Sequence, residues 1–350
     1  MSEPAPRVSL QEFRDSLRRE DYRGYDVLIV SSSTPEESES QQALLERAYG
    51  SIETTNLAVG RRVVILSVTD PTESGQLLGQ SYTWLRARER ASERGLDLDA
   101  LLVEGSARIA IYHNGGRGER ASPITQGLGN SRGAQRLVGS IRNARDEDLR
   151  LELLLAVTLQ TSLFARSNDG RSVDTFWTSQ LIFDRTLEPK ATAPGAAIQK
   201  FVVSVDRELV EPQSLHDFGT ALIDSTGCIE SFFRNKVFAA RDENGEFQIL
   251  EDKRAEWNRE DTELAFDFGS FRTQGTLHLD LVAFYARQDT WKLAERGGRI
   301  PKSACRDIDP HFVQPFVDVL RAWRSDDLDE AVRSAKETSR ASAEILDEVA

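Results

Sequence analysis

Lysine is the first scarcity in this chain. Its 350 residues hold seven lysines against 37 arginines, and the first 189 residues have no lysine at all. Any phosphate contact in that half must rest on arginine, backbone N–H groups or a metal. Two cysteines, Cys228 and Cys305, are too few for a disulfide framework and suit a reducing cytoplasm. Four histidines, His113, His216, His278 and His311, are too scattered for a zinc motif. No run reaches the roughly 18 apolar residues of a membrane span. Residues 1–6 lack a charged start before an apolar run, so no signal peptide is expected. Positive charge is short as well: 57 acidic against 44 basic side chains give a net charge of −13. That balance argues against a nucleic-acid polymer as partner, because such binding neutralises phosphates with a basic face.

What is present is an alternation of strand-like and helical patterns. Tyr25-Asp26-Val27-Leu28-Ile29-Val30 reads as a buried strand, and Glu36 to Tyr49 has helical spacing behind a Thr-Pro-Glu-Glu start. Arg62 to Val68 reads as a second strand, Gln76 to Arg94 as a long helix, and Ala107 to Tyr112 as a third strand. Alternation of this kind predicts βαβ units, hence an α/β fold with a mostly parallel sheet. Between Asp146 and Phe164 the apolar residues fit helix and strand periods alike. A further strand is expected from Val173 through Phe183. Beyond Lys200 the runs shorten, at Phe201–Val205, Gly219–Ile223 and Phe247–Leu250, which predicts an added mixed or antiparallel layer. The expected organisation is an N-terminal extension over 1–23, one α/β domain over 24–325 with halves at about 24–190 and 191–325, and a charged helix over 326–350 suited to a surface or dimer contact.

The segment with the most chemistry follows the third strand: His113-Asn114-Gly115-Gly116-Arg117-Gly118-Glu119-Arg120-Ala121-Ser122-Pro123-Ile124-Thr125. A strand running into a glycine-rich loop is where open α/β sheets bind ligands. Glycines let backbone N–H groups approach phosphate oxygens with no Cβ in the way, and Arg120 can set a two-pronged cation on them. Neither a dinucleotide fingerprint nor a P-loop fits: no glycine stands three residues after Gly118, and no Gly-Lys-Ser/Thr ends the loop. A plain glycine turn with an exposed arginine is the competing reading. No G-x-S-x-G elbow is present either.

These residues, from Gly115 to Thr125, resemble the signature loop of the sugar-1-phosphate nucleotidyltransferases, and the layout resembles the fucose-1-phosphate guanylyltransferase-like branch. The resemblance implies a Rossmann-like, glycosyltransferase-A-type sheet. It implies Mg²⁺-dependent condensation of a nucleoside triphosphate with a sugar 1-phosphate, giving an NDP-sugar and pyrophosphate. By the same resemblance Asn114, Gly115, Gly116, Arg117, Gly118 and Pro123 would bind the nucleotide, and Arg120 would stabilise the departing pyrophosphate. The family's loop usually ends in Pro-Lys, where this chain has Gly129-Asn130. Arg132 is the candidate replacement, or else an arginine at a helix start.

The resemblance also implies a metal-binding aspartate at the end of a mid-sheet strand, where this chain has Ser179. Asp174 lies five residues earlier and would face the other way. On the sugar side, Gly219, Lys236 and Gly269 fall in runs that resemble those lining the family's sugar pocket, although Lys236 also fits a solvated hairpin. In Arg306-Asp307-Ile308-Asp309-Pro310-His311, Asp309 reads as a helix cap ahead of a helix to about Trp323, while Asp307 is the best carboxylate for Mg²⁺. The expected activity is therefore nucleotidyl transfer in the cytoplasm, away from membranes, with a homo-oligomer through the C-terminal helix as a further expectation. A non-catalytic nucleotide- or NDP-sugar-binding relative is the alternative. A glycosyltransferase is a third reading, for which Asp97-Leu98-Asp99, placed in a loop, and Asp307-Ile308-Asp309 offer the Asp-x-Asp pattern.

Overall fold

The structure of the protein is a computed structural model that describes residues 24–49, 63–70, 76–114, 133–142, 148–178, 189–191, 198–233 and 238–287. In chain order these form β1 (Val27–Ser32), α1 (Pro35–Tyr49), β2 (Val64–Thr69), α2 (Gln76–Ser92), α3 (Leu98–Glu104), β3 (Ile109–His113), β4 (Arg136–Arg142), β5 (Asp148–Glu152), α4 (Leu153–Thr161) and β6 (Ser172–Trp177). There follow β7 (Pro189–Ala191), β8 (Ile198–Ser204), α5 (Pro212–Asp217), β9 (Gly219–Ile223), β10 (Ile229–Phe233), β11 (Ala239–Arg241), β12 (Phe247–Ile249), α6 (Arg254–Trp257), β13 (Glu263–Gln274) and α7 (Gly275–Arg287). The chain is thus α/β with both parallel and antiparallel strand pairs. Its described residues divide into two compact units, one holding those up to 178 together with 273–287, the other 189–272. Among the described residues no helix is long and apolar enough to cross a membrane.

In the first unit four strands pair in parallel in the order β2-β1-β3-β6. All six residues of β1 and all five of β3 are buried. Strands covered on both faces read as unbroken apolar runs, which is why these segments were legible in the sequence. The ambiguous stretch before Phe164 resolves into three elements. Strand β5 pairs antiparallel with β4, α4 follows, and a 3-10 turn over Ser162–Ser167 completes it. The strand expected from Val173 to Phe183 is described only as far as Trp177, and residues 179–183 lie outside the described residues. So do the N-terminal extension, the helix expected to begin at Asp309 and the C-terminal helix.

Helix α1 does more than cover the sheet. Gln42 is buried and its Nε2 donates to Ile65 O at 2.8 Å, while its Oε1 accepts from Ser67 N–H at 2.8 Å. These are the two bonds a neighbouring strand would make to residues i and i+2, so one amide side chain stands in for a strand on outermost β2. Arg94 Nη1 adds a bond to Ile65 O at 3.0 Å, and Arg90 Nη1 bonds Ser67 O. Polar side chains in the first unit thus satisfy a sheet edge that would otherwise carry open backbone groups.

The second unit is antiparallel where its pairing is resolved: β10-β9-β13, β7 with β8, and β11 with β12. Alternation along β9 and β13 divides two apolar clusters between the faces. Ala221, Ile223 and Ala265 join Val202 and Ile229, whereas Leu222 and Leu264 join Leu215, Phe238 and Ala239.

Replacing Gln42 by Leu preserves shape but leaves the buried Ser67 N–H without its acceptor, a loss of about 1–3 kcal/mol. Urea unfolding should show that loss for Gln42→Leu and almost none for Glu39→Gln on the exposed side of the same helix. Equal stability of the two variants would contradict the edge-capping role.

Candidate functional site

Strand order locates the site. From β1 the chain goes through α1 to β2 on one side, then through α2 and α3 to β3 on the other side of β1. The winding direction therefore reverses between β1 and β3, and open α/β sheets bind ligands outside the carboxyl ends of the strands at such a reversal. Two segments leave those ends: Ser33-Thr34 after β1, and Asn114, ahead of the glycine-rich segment, after β3.

Register sorts these residues onto two faces. Ser31, His113 and Trp177 are partners across β1, β3 and β6, so they share one face. Ser31 Oγ and His113 Nδ1 are 3.1 Å apart, and the Trp177 ring stacks on the imidazole at 4.6 Å and 23°. His113 is buried, and its Nε2 has no hydrogen-bond partner among the described residues. Burial disfavours the imidazolium and pushes the ring down to about 4, so it is neutral at pH 7.

The opposite face belongs to the start of α1. Thr34 Oγ1 accepts the Glu37 N–H at 3.2 Å and Glu37 Oε2 accepts the Ser33 N–H at 2.9 Å, a reciprocal arrangement that starts the helix. Glu37 Oε1 accepts from both Gln41 Nε2 and Asn114 Nδ2 at 2.9 Å. Gln41 in turn accepts from Ser32 Oγ at 2.6 Å, and Asn114 Oδ1 accepts from Thr178 Oγ1 at 2.8 Å. Asn114 also donates its backbone N–H to Ser31 O at 3.0 Å.

Asn114, expected as a nucleotide contact, is fully buried and committed to protein partners through both ends of its amide. It acts as a positioning residue. Gly133, the residue that follows 115–132, packs on that same amide: a Cβ there would lie 2.3 Å from Asn114 Oδ1. Residues 114 and 133 therefore meet at the carboxyl end of β3. Gly115, Gly116, Arg117, Gly118, Arg120, Pro123 and Arg132 themselves lie outside the described residues, as do Ser179, Lys236 and Asp307.

In the second unit, the structure brings two of the expected sugar-side residues to one carboxylate. Gly219 pairs across from Asp267, and the Gly269 N–H, in a left-handed backbone conformation at φ 78°, donates to Asp267 Oδ1 at 3.0 Å. Asp267 also meets Lys200 Nζ at 3.0 Å, with both side chains 1% exposed. Gly219 puts no side chain on the face it shares with Asp267, which leaves room for the ion pair. Lys200 was missed by sequence reasoning, although a lysine inside the apolar run Ile198–Ser204 is the signal that marks it.

Other acidic candidates are occupied. Asp174 is fully buried and accepts from Tyr25 Oη at 2.5 Å, well short of the strand end. Asp97 and Asp99, expected in a loop, belong instead to α3. Asp97 caps it by accepting from Ala100 N–H at 3.0 Å, and Asp99 accepts from Trp84 Nε1 at 2.8 Å and Arg88 Nη1 at 3.0 Å. Among the described residues no group of three or more His, Cys, Asp or Glu side chains is arranged to hold a metal. The described carboxylates at the crevice do not fit Mg²⁺, since Glu37 already accepts three hydrogen bonds.

His113 and His278 make stability acid-sensitive. His278, on α7 and against Gln80 and Trp84 of α2, is pushed by burial down to about 3. Both folded values lie below the unfolded value of about 6.5, so the unfolded chain takes up protons that the folded one does not. Stability should be whole above pH 7 and fall as pH drops below about 6.5, by on the order of 2 kcal/mol per ring at pH 5. A urea midpoint equal at pH 7 and pH 5 would contradict both assignments. Comparison with models of known protein families, with curated proteins and with solved structures finds no match to this chain.

Proposed function

We propose that the chain is a sugar-1-phosphate nucleotidyltransferase on a Rossmann-like, glycosyltransferase-A-type sheet, with Asn114, the 115–118 glycines and Pro123 proposed for the nucleotide and Gly219, Lys236 and Gly269 for the sugar phosphate. The observation that carries this reading is the place of the glycine-rich segment. Asn114, which precedes that segment, stands at the carboxyl end of β3 beside the reversal of strand order, and Gly133, which follows it, packs on the Asn114 amide. Its sequence from Gly115 to Thr125 resembles the phosphate-binding loop of that family.

In the reaction so proposed, an oxygen of the sugar phosphate attacks the α-phosphorus of the triphosphate in line. The new P–O bond forms as the bond from that phosphorus to the oxygen bridging to the β-phosphate breaks, and pyrophosphate leaves with the bonding pair. Both reactants are polyanions, so catalysis consists mostly of positioning and charge neutralisation. Glycine N–H groups at 115, 116 and 118 would hold the triphosphate, and Arg120 would meet the charge on departing pyrophosphate. Arg132 would replace the family's lysine. Mg²⁺, where the family uses it, would neutralise part of the phosphate charge, with Asp307 and Ser179 as the residues proposed to hold it.

A second reading is favoured by one observation. Asp174, the described carboxylate on the strand where the family keeps its metal ligand, is tied to Tyr25 inside the protein. A nucleotide- or NDP-sugar-binding protein without turnover fits that arrangement.

The test is pyrophosphate release from a panel of nucleoside triphosphates and sugar 1-phosphates with Mg²⁺. The leading reading expects turnover with at least one pair and a loss of about 100-fold or more in Arg120→Ala, the scale of removing one charge-stabilising donor. Thermal stabilisation by nucleotide with no turnover would select the binding protein instead. Neither turnover nor stabilisation by any nucleotide would sink both.

A further inference from the structure

The dipeptide Asn-Gly occurs twice in the chain, at Asn114-Gly115 and Asn244-Gly245. Glycine after asparagine leaves the following backbone nitrogen uncrowded, because no Cβ shields it. That nitrogen can close a ring on the asparagine's own amide carbon, which makes such asparagines chemically labile. The two asparagines stand in opposite surroundings. Asn114 is fully buried, its Nδ2 donates to Glu37 Oε1 and its Oδ1 accepts from Thr178 Oγ1. Swinging its amide carbon onto the next backbone nitrogen would break both bonds inside the protein. Asn244 lies in an exposed turn, and its side-chain amide has no hydrogen-bond partner among the described residues.

That turn joins β11 to β12, whose Arg241 and Phe247 pair across it. Asp242 N–H donates to Glu246 O at 2.8 Å, and Gly245 N–H donates to Asp242 O at 3.0 Å. The Asp242 side chain holds the same residues. Its Oδ1 accepts from the backbone N–H groups of Asn244 and Glu246, each at 2.9 Å, and its Oδ2 accepts from Gln248 Nε2 at 2.6 Å. Gly245 takes the left-handed conformation, φ 84°, that closes hairpins of this kind. The nitrogen that would react is therefore engaged, but by a solvent-exposed bond in a two-stranded hairpin of three-residue strands, the sort of element that opens locally.

We propose that Asn244 is a site of spontaneous covalent modification, deamidating in the folded protein at a rate gated by opening of the turn that Asp242 holds, while burial and its two amide bonds protect Asn114. Once the Gly245 N–H has left Asp242 O, its nitrogen attacks Asn244 Cγ. The N–Cγ bond forms and the Cγ–Nδ2 bond breaks. Ammonia departs with the bonding pair and with the proton that the Gly245 nitrogen gives up. Water then opens the cyclic imide: cleavage at Cγ leaves aspartate, and cleavage at the Asn244 carbonyl carbon leaves isoaspartate, with the side-chain carbon now in the main chain. Nothing is oxidised or reduced. Either product adds a negative charge between Glu243 and Glu246, and isoaspartate lengthens the connection between β11 and β12.

The experiment is peptide mapping by mass spectrometry of the full chain incubated at mildly alkaline pH, with a parallel sample unfolded in urea. In the folded chain the acidic product should appear at Asn244 and not at Asn114; in urea both should convert. Asn244→Gln, whose longer side chain closes the ring far less readily, should remove the product. Asp242→Ala should speed conversion at Asn244 by about tenfold, the change in open population on losing one or two such bonds. An Asn244 that keeps its amide in the folded chain while the chain in urea converts overturns the proposal. Conversion of Asn114 in the folded chain as fast as Asn244 overturns the protection assigned to it. An unchanged rate in Asp242→Ala overturns the gating by the turn.

Discussion

Parallel pairing of β1 with strands on both its sides is the constraint from which the rest of the first unit follows. A strand buried on both faces has to lie inside a sheet, and parallel neighbours can be reached only by helices that cross over it. With β2 on one side and β3 on the other, the two crossovers diverge from β1, and the carboxyl ends of β1 and β3 lie side by side at that reversal. Ser31, Ser32, His113 and Asn114 are the buried polar residues gathered at those ends. Helix α1 then completes the arrangement twice over. Its first turn holds Asn114 through Glu37, and its middle closes the sheet edge through Gln42.

Buried charge and polarity are distributed differently in the two units. In the first, polar groups are paired by neutral or singly charged hydrogen bonds, as in the chain from Ser32 through Gln41 and Glu37 to Asn114 and Thr178. In the second, a full ion pair, Lys200 with Asp267, is sealed on the face that also carries Val202, Ala221 and Ala265. A pair of that kind contributes little net stability against an apolar replacement, yet loss of either partner leaves an uncompensated charge. Its value is in fixing which residues of β8 and β13 meet, and the Gly269 N–H ties the local bend of β13 to the same carboxylate.

Legibility in the sequence tracked how local the cause was. Strands β1, β2 and β3 were readable because burial on both faces writes itself as an apolar run, and α1 because Thr34, Pro35 and Glu37 mark its start. Helix α3 was read as a loop: seven residues are too few to establish a period, and its defining feature is the Asp97 cap. Helix α7 follows β13 directly at Gly275, with no turn to separate the two. At the candidate site, the glycine-rich segment and Asn114 stood out by composition, but their roles did not. That Asn114 faces Glu37, 77 residues away, or that Asp267 meets Lys200, 67 away, is decided by register and crossover, which no short window contains.

The central claim is that ligand binds at the carboxyl ends of β1 and β3. A co-crystal structure with a nucleoside triphosphate tests it most directly. The account predicts nucleotide between those two strand ends, with its phosphates against the backbone that follows Asn114. Nucleotide bound elsewhere, at the amino ends of the parallel strands or within the antiparallel unit, would contradict it.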